Sequence, residues 1–217
     1  MEIWSWWTQF LQASLGFLSA HFGLSEAVSI IMLTVVARMA LMPISLTAAY
    51  RSQKSKEAME RLKPQLEDLR KTYKDDPSEL AARTMALHRA NGITFFDKVS
   101  VLNMGTQGIF GLGVFQCLNR RGFNSRFLWI TSLAKPDLAL TLIIGILMLL
   151  GSALMPGATA NTSMLVMLAV SVLVSLFFIA TLPSAVGLYW ATSNALALAQ
   201  TLVLRSLLAR KHAPLAA

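Results

Sequence analysis

The sequence predicts an all-α integral membrane protein: five transmembrane helices around a hydrophilic groove, with an N-terminal interfacial amphipathic helix and a cytoplasmic helical hairpin. Three observations lead to this reading. Of 217 residues, 55% are hydrophobic and only 14% are charged, with a mean hydropathy of +0.56. The charges that do occur are gathered into a few short segments. Between Asp137 and Arg205, 67 consecutive residues contain no Asp, Glu, Lys or Arg, whereas a helix needs about 20 apolar residues to cross a bilayer. So apolar a chain is neither an ordinary soluble globule nor a disordered polymer. The single cysteine, Cys117, excludes a disulfide scaffold.

Residues 1–25 place Trp4, Trp7, Leu11, Leu15, Leu18 and Phe22 at helical spacing, with Ser5, Gln9, Gln12, Ser19 and His21 largely off that stripe. This is the pattern of an amphipathic helix lying in the headgroup layer, where tryptophan is favoured. Met1 to Trp7 lacks Lys and Arg and contains Glu2, unlike a signal or transit peptide. Residues 26–50 form the first span, in which Ala27 to Tyr50 is interrupted only by Arg38, and Pro43 invites a kink.

Residues 51–98 hold eleven of the nineteen basic and eight of the eleven acidic residues. Met59, Leu62, Leu66, Leu69 and Tyr73 step by three or four, giving an apolar stripe on a charged helix. Asp75-Asp76-Pro77-Ser78 reads as a turn, and Leu80, Thr84 and Leu87 continue a second helix that ends near Asn91-Gly92. Opposite charges are interleaved here and aromatics are few, so no direct nucleic-acid recognition is expected.

Residues 99–119 form the second span and 120–137 an outer loop. Spans at 138–155, 164–182 and 183–205 are separated by Met155-Pro156-Gly157 with the small polar residues up to Ser163, and by Leu182-Pro183-Ser184. The connection 156–163 is short, and a tail of residues 206–217 follows. With five spans, the long loop and the tail counted from Arg205 share a face carrying fourteen basic residues against four on the other. The positive-inside rule then puts the N-terminus outside and the C-terminus in the cytoplasm.

Arg38 carries the most information. It sits at the middle of its span, where an arginine costs about 2.5–3.5 kcal/mol on insertion scales, and no other span contains Asp or Glu. A water-filled cavity is the most economical way to stabilise it. Polar residues that could line one recur at helical spacing: Thr34 and Ser45 beside Arg38, Asn103 and Gln107, Ser171 and Ser175, and Tyr189 and Ser193. The result is a positive groove fit for anionic groups such as phosphate, carboxylate or an acidic polypeptide stretch. Gly105, Gly108, Gly111 and Gly113 would let the second span approach its neighbours closely. His21, His88 and His212 are far apart, no phosphate-binding glycine loop with Lys is present, and Ser132 has no evident base. Neither a metal or other cofactor nor an enzymatic activity is expected.

The run Ala37-Arg38-Met39-Ala40-Leu41-Met42-Pro43, the charged hairpin after it, Gln107, the outer-loop segments Phe127-Leu128-Trp129-Ile130 and Ala134-Lys135-Pro136-Asp137, and Leu182-Pro183-Ser184-Ala185-Val186-Gly187-Leu188-Tyr189-Trp190-Ala191-Thr192-Ser193-Asn194 resemble the YidC/Oxa family of membrane protein insertases. The resemblance covers nearly the whole chain. It implies a groove open to cytoplasm and lipid in a bacterial inner membrane protein, with Arg38 as the groove arginine and Gln107 and Trp190 in its lining. The implied substrates are nascent or newly made membrane proteins, especially small ones with acidic translocated tails. Ribosome, signal-recognition machinery or a translocase would be partners, besides the lipid bilayer. Gln107 is followed by Gly108 where family members commonly have proline, and 156–163 lacks the usual charges. The short tail, and the absence of a large outer domain ahead of the first span, resemble a minimal bacterial form. Two other functions fit the same residues, a small anion transporter and an assembly factor for a membrane complex held by its hairpin.

Overall fold

The computed structural model describes residues 2–93, 97–120, 123, 125–154 and 162–212. Their helices are α1 (Glu2–Phe22), α2 (Glu26–Thr72), α3 (Pro77–Ala90), α4 (Lys98–Arg120), α5 (Leu138–Ala153), α6 (Thr162–Ile179) and α7 (Ser184–His212). Among the described residues there is no strand, only an isolated bridge between Phe127 and Ile130. The chain divides into one unit of Met1–Met42 with Thr106–Ala217 and a second of Pro43–Gly105.

The first unit is built around α5, which packs on α6 and α7. Gly187 permits the α5–α7 approach, since a Cβ there would stand 2.7 Å from Leu140 Cδ2, and Gly145 does the same towards Leu176 on α6. Its core joins Leu11 and Leu15 of α1, Ile30 of α2, Val114 and Leu118 of α4, Ile144 of α5 and Val186 of α7. The α1 stripe of Trp4, Trp7, Leu11, Leu15 and Leu18 faces inward, and Trp4 Nε1 donates to Gln116 Oε1 at 2.8 Å. Phe22 is exposed instead, together with Ile3, Trp6, Phe10 and Phe17, so α1 is apolar on a second face as well.

The loop between α4 and α5 closes the end of this unit. Asp137 caps α5, accepting from the Leu140 amide at 2.7 Å. The carbonyls of Lys135 and Leu133 accept from the Ser184 and Ala185 amides at 3.0 Å each, satisfying N–H groups that the start of α7 would otherwise leave unpaired.

The second unit contains the latter part of α2, all of α3 and the start of α4. The sequence reading divides 26–98 into a span and a separate hairpin, but α2 runs unbroken for 47 residues through Pro43 and Pro64. Nothing at Tyr50 or Arg51 stops a helix, and the residues beyond are mostly strong helix formers. They include the pairs Gln53–Glu57 and Lys63–Glu60, spaced for contact along one helix. The turn expected at 75–78 is present. Asp76 accepts from the amides of Ser78 and Glu79, and Pro77 occupies the first helical position, where its missing N–H costs nothing. α3 ends at Asn91, with Gly92 at φ +67° and the Ile93 amide reaching back to the His88 carbonyl, a Schellman closure with Ile93 buried behind it. Arg51 pairs with Asp97 at 2.9 Å, and Asp97 also accepts from the Ser100 amide at the start of α4.

Among the described residues one helix, α2, is by length and composition apolar enough to cross a membrane, while Leu138–Ala153 and Val166–Ile179 are apolar but shorter. α4 and α7 fall outside that group because polar residues such as Asn103, Gln107, Tyr189 and Ser193 interrupt them. The outer surface still has the character of a lipid-facing one. Leu142, Ile146 and Leu149 on α5 and Met167, Leu173 and Phe177 on α6 are all more than half exposed. Apolar patches of this extent mark surfaces that are covered in the working protein. Most of the connection expected at 156–163 lies outside the described residues.

Candidate substrate groove

Within the first unit, α2, α4, α6 and α7 enclose a cavity of about 500 Å³. α2 contributes Arg38. α4 gives Gln107, Gly111 and Phe115, spaced by about one helical turn, and Leu112 beside them. From α6 comes Phe178, and from α7 Val186, Tyr189, Trp190, Ser193, Asn194 and Ala197. Arg38 is the one formally charged residue in that lining.

The guanidinium has two protein partners. Its Nη1 donates to Gln107 Oε1 and its Nε to Ser193 Oγ at 3.4 Å. The second contact is at the outer limit for a hydrogen bond, so Gln107 provides most of the direct support. The remaining guanidinium N–H groups have no protein acceptor among the described residues, and no carboxylate lines the cavity. The positive charge is therefore held in place without being neutralised.

Gly111 matters by what it lacks. A Cβ there would stand 3.0 Å from the Tyr189 hydroxyl, so the glycine leaves room for the phenol to lie across α4 beside the arginine. Phe110 meets the Tyr189 ring edge-on at 6.2 Å and fixes it from behind. Asn194 turns its amide to the Trp190 carbonyl at 2.8 Å, leaving the groove wall there less polar than the sequence implies. Gly113 belongs to another contact, since a Cβ there would run into the Trp7 indole and Leu11 of α1. Gly105 and Gly108 have no neighbour within 4 Å of such a Cβ.

Of the residues expected from sequence, Arg38, Gln107, Tyr189, Trp190 and Ser193 come together in this cavity. Thr34 is buried and donates its hydroxyl to the Ile30 carbonyl at 2.7 Å. Ser175 does likewise to the Ser171 carbonyl at 2.8 Å, and α6 meets the groove through Phe178 rather than through either serine. Ser45 and Asn103 belong to the second unit. The apolar wall of Leu112, Phe115, Phe178, Val186 and Ala197 carries no mark in the sequence, because an apolar residue in an apolar helix is the default.

A larger cavity of about 770 Å³ lies among α1, α2 and α4, lined by residues such as Phe10, Phe17, Val36, Leu41 and Ile109. Ser14 and Thr106 are among its few polar groups and it holds no charge, so it offers nothing to an anionic ligand. Among the described residues no cluster of His, Cys, Asp and Glu is arranged to hold a metal.

Comparison with known proteins is consistent across sequence and structure. The family model described as 60Kd inner membrane protein matches residues 17–211. A membrane protein insertase YidC of Clostridium tetani is 27% identical over 87% of this chain and 84% of its own length. The Listeria monocytogenes membrane protein insertase YidC 1 is 30% identical over 94% of this chain and 72% of its own. A solved active YidC insertase, with its first transmembrane domain resolved, superposes with a TM-score of 0.64 at 19% identity. That match covers 89% of this chain and 45% of the insertase chain.

Proposed function

This chain belongs to the 60Kd inner membrane protein family, and from that premise we propose that it is a membrane protein insertase. It receives the short hydrophilic end of a newly made membrane protein in the Arg38 groove and releases the apolar segment sideways into the bilayer. The observation that supports this most is the arginine itself: a fixed positive charge, held by Gln107 and Ser193, in a cavity with no carboxylate to cancel it. An acidic tail entering the groove finds the counter-charge that the fold withholds. Leu112, Phe115 and Phe178 form an apolar wall beside it, suited to the segment that follows the tail.

The energetics need no nucleotide. A wet groove lowers the cost of carrying polar backbone part-way across hydrocarbon, and partitioning of the apolar segment drives the step. With five spans, the N-terminus outside and the C-terminus in the cytoplasm, the membrane potential assists an acidic tail by about 2.3 kcal/mol per charge per 100 mV. Docking of ribosome, signal-recognition machinery or a translocase falls to the charged helices of the second unit.

The test is reconstitution of purified protein in liposomes, scoring protease protection of a single-span substrate with an acidic tail. Wild type protects it, Arg38→Lys retains part of the protection, and Arg38→Ala loses most of it. Equal protection by all three removes the arginine from the mechanism. No protection by protein shown to be folded replaces the insertase with an assembly factor or an anion pathway.

A further inference from the structure

The turn Phe127–Ile130 between α4 and α5 gives Ile130 and Phe127 to the core, but its tip, Leu128 and Trp129, serves neither the core nor the groove. Phe127 and Ile130 exchange backbone hydrogen bonds of 3.0 and 2.8 Å, closing a two-residue turn with Leu128 and Trp129 at its tip. Leu128 has φ +51°, the one non-glycine residue in the left-handed region among those described. Glycine suits such a position better, because a leucine Cβ crowds the backbone there. The strained backbone nevertheless presents a leucine outward, 75% exposed, beside a half-exposed tryptophan.

The position of this tip is fixed by a hydrogen bond. Trp129 Nε1 donates to Asp137 Oδ1 at 3.2 Å, and the same oxygen caps α5. The tip therefore sits over the first turn of α5, where the exposed stripe of Leu138, Leu142, Ile146 and Leu149 begins. Leu128 and Trp129 extend that apolar stripe past the end of the helix. Arg126 and Lys135 are both exposed on either side of the turn. An apolar tip, an indole with its N–H turned to a polar partner and flanking cations match the layered chemistry of a bilayer interface, from acyl carbon to phosphate.

We infer that the Leu128–Trp129 turn is a membrane-interface anchor: it inserts into the headgroup layer at the N-terminal end of α5, and Arg126 and Lys135 meet lipid phosphate. The inference rests on the proposed reading of α5 as a lipid-facing span. It gives the loop a second duty. The same loop holds the start of α7 through the Lys135 and Leu133 carbonyls, so seating its tip in the interface sets the depth of the outer ends of α5 and α7 together.

The experiment uses the full chain in a Cys117→Ala background, reconstituted in phosphatidylethanolamine vesicles with and without phosphatidylglycerol. Single cysteines at Leu128→Cys, Ile146→Cys and Met85→Cys carry an environment-sensitive fluorophore. Quenching is by iodide in the water and by nitroxides placed near the headgroup or at mid-chain. The expected result at 128 is blue-shifted emission quenched most by the shallow nitroxide. That quenching increases with phosphatidylglycerol and falls when Arg126 and Lys135 are both replaced by Glu. Position 146 answers to the mid-chain nitroxide and position 85 to iodide. Iodide quenching at 128 with 146 in the bilayer overturns the anchor, leaving the tip as a surface for a protein partner. Mid-chain quenching at 128 overturns an interfacial seat. Iodide quenching at both 128 and 146 overturns the spanning reading of α5 and the anchor with it. Repeating the measurement at Trp129→Cys with Leu128→Gly keeps the left-handed backbone and removes the leucine. Unchanged shallow quenching there would show that Leu128 is not the inserting residue.

Discussion

The contact between Arg38 and Gln107 allows a direct test of whether the groove is wet. Gln107→Leu keeps approximate side-chain volume and removes the acceptor. The Ser193 contact at 3.4 Å is too long to take over its role. If water fills the cavity of about 500 Å³, it replaces the lost acceptor, and the loss is the net exchange value of a hydrogen bond from a charged donor, about 1.5–3 kcal/mol. In a dry cavity, a charged donor is left buried without its acceptor, and the loss rises above about 3 kcal/mol. A double-mutant cycle with Arg38→Met isolates the pairwise term from other effects of each substitution. The assay is reversible unfolding in dodecylmaltoside micelles titrated with SDS, followed by tryptophan fluorescence. The wet groove predicts a coupling energy of about 2 kcal/mol. A value well above about 3 kcal/mol would refute the hydrated groove, and a value indistinguishable from zero would refute the contact.

Other residues give sharp expectations. Gly187→Ala places a methyl 2.7 Å from Leu140 Cδ2 in a buried contact and should cost about 1–3 kcal/mol, read as a lower unfolding midpoint; an unchanged midpoint would mean that α5 and α7 are not so close. Gly113→Leu drives a side chain into Trp7 and Leu11, so α1 should become accessible to protease while α5 to α7 stay protected. Gly111→Val displaces the Tyr189 hydroxyl and should lower insertion with little change in unfolding midpoint. The carboxyl of Asp76 is held below the usual carboxylate range, first by the Glu79 amide and then by the Ser78 hydroxyl. A depressed folded pKa stabilises the folded state above the unfolded value of about 3.9, and that contribution is lost as pH falls through the folded value. Amide exchange at the first turn of α3 should therefore rise below about pH 4, and Asp76→Asn should flatten the dependence.

How much was readable from sequence follows from which residues stand out against their surroundings. Asp76-Pro77 and Asn91-Gly92 mark the ends of α3 because capping, an absent N–H and a left-handed backbone each demand particular residue types. Arg38, Gln107, Tyr189 and Ser193 are conspicuous because polar groups are costly in an apolar helix. Thr34 and Ser175 are equally conspicuous, but a hydroxyl on a helix can satisfy itself on the carbonyl four residues back, and both do. Spacing alone cannot separate that arrangement from one facing a cavity. The unbroken course of α2 from span into hairpin was hidden for a different reason. The change from apolar to charged composition at Arg51 does not interrupt α2, because the helix backbone is indifferent to whether its side chains are apolar or charged. Leu128 shows the converse, since its left-handed φ violates local preference and nothing in a leucine announces it.

The charge state of the groove follows from the balance around Arg38. An arginine at a helix centre costs about 2.5–3.5 kcal/mol on insertion scales, and a hydrogen bond from a charged donor returns about 1.5–3 kcal/mol. Gln107 thus offsets much of the cost, and in a hydrated groove water on the other guanidinium N–H groups would offset more, so no carboxylate is required for the helix to remain in place. A glutamate at 107 would hold the arginine more tightly, but it would cancel the field that the proposed insertase reading offers to an acidic tail. A neutral acceptor supports the cation and leaves its charge uncompensated. Gln107→Glu should therefore raise the unfolding midpoint while lowering insertion of acidic-tailed substrates, opposite changes that a purely structural Arg38–Gln107 contact would not produce. If stability and insertion rose together, the field of Arg38 would have no part in substrate capture.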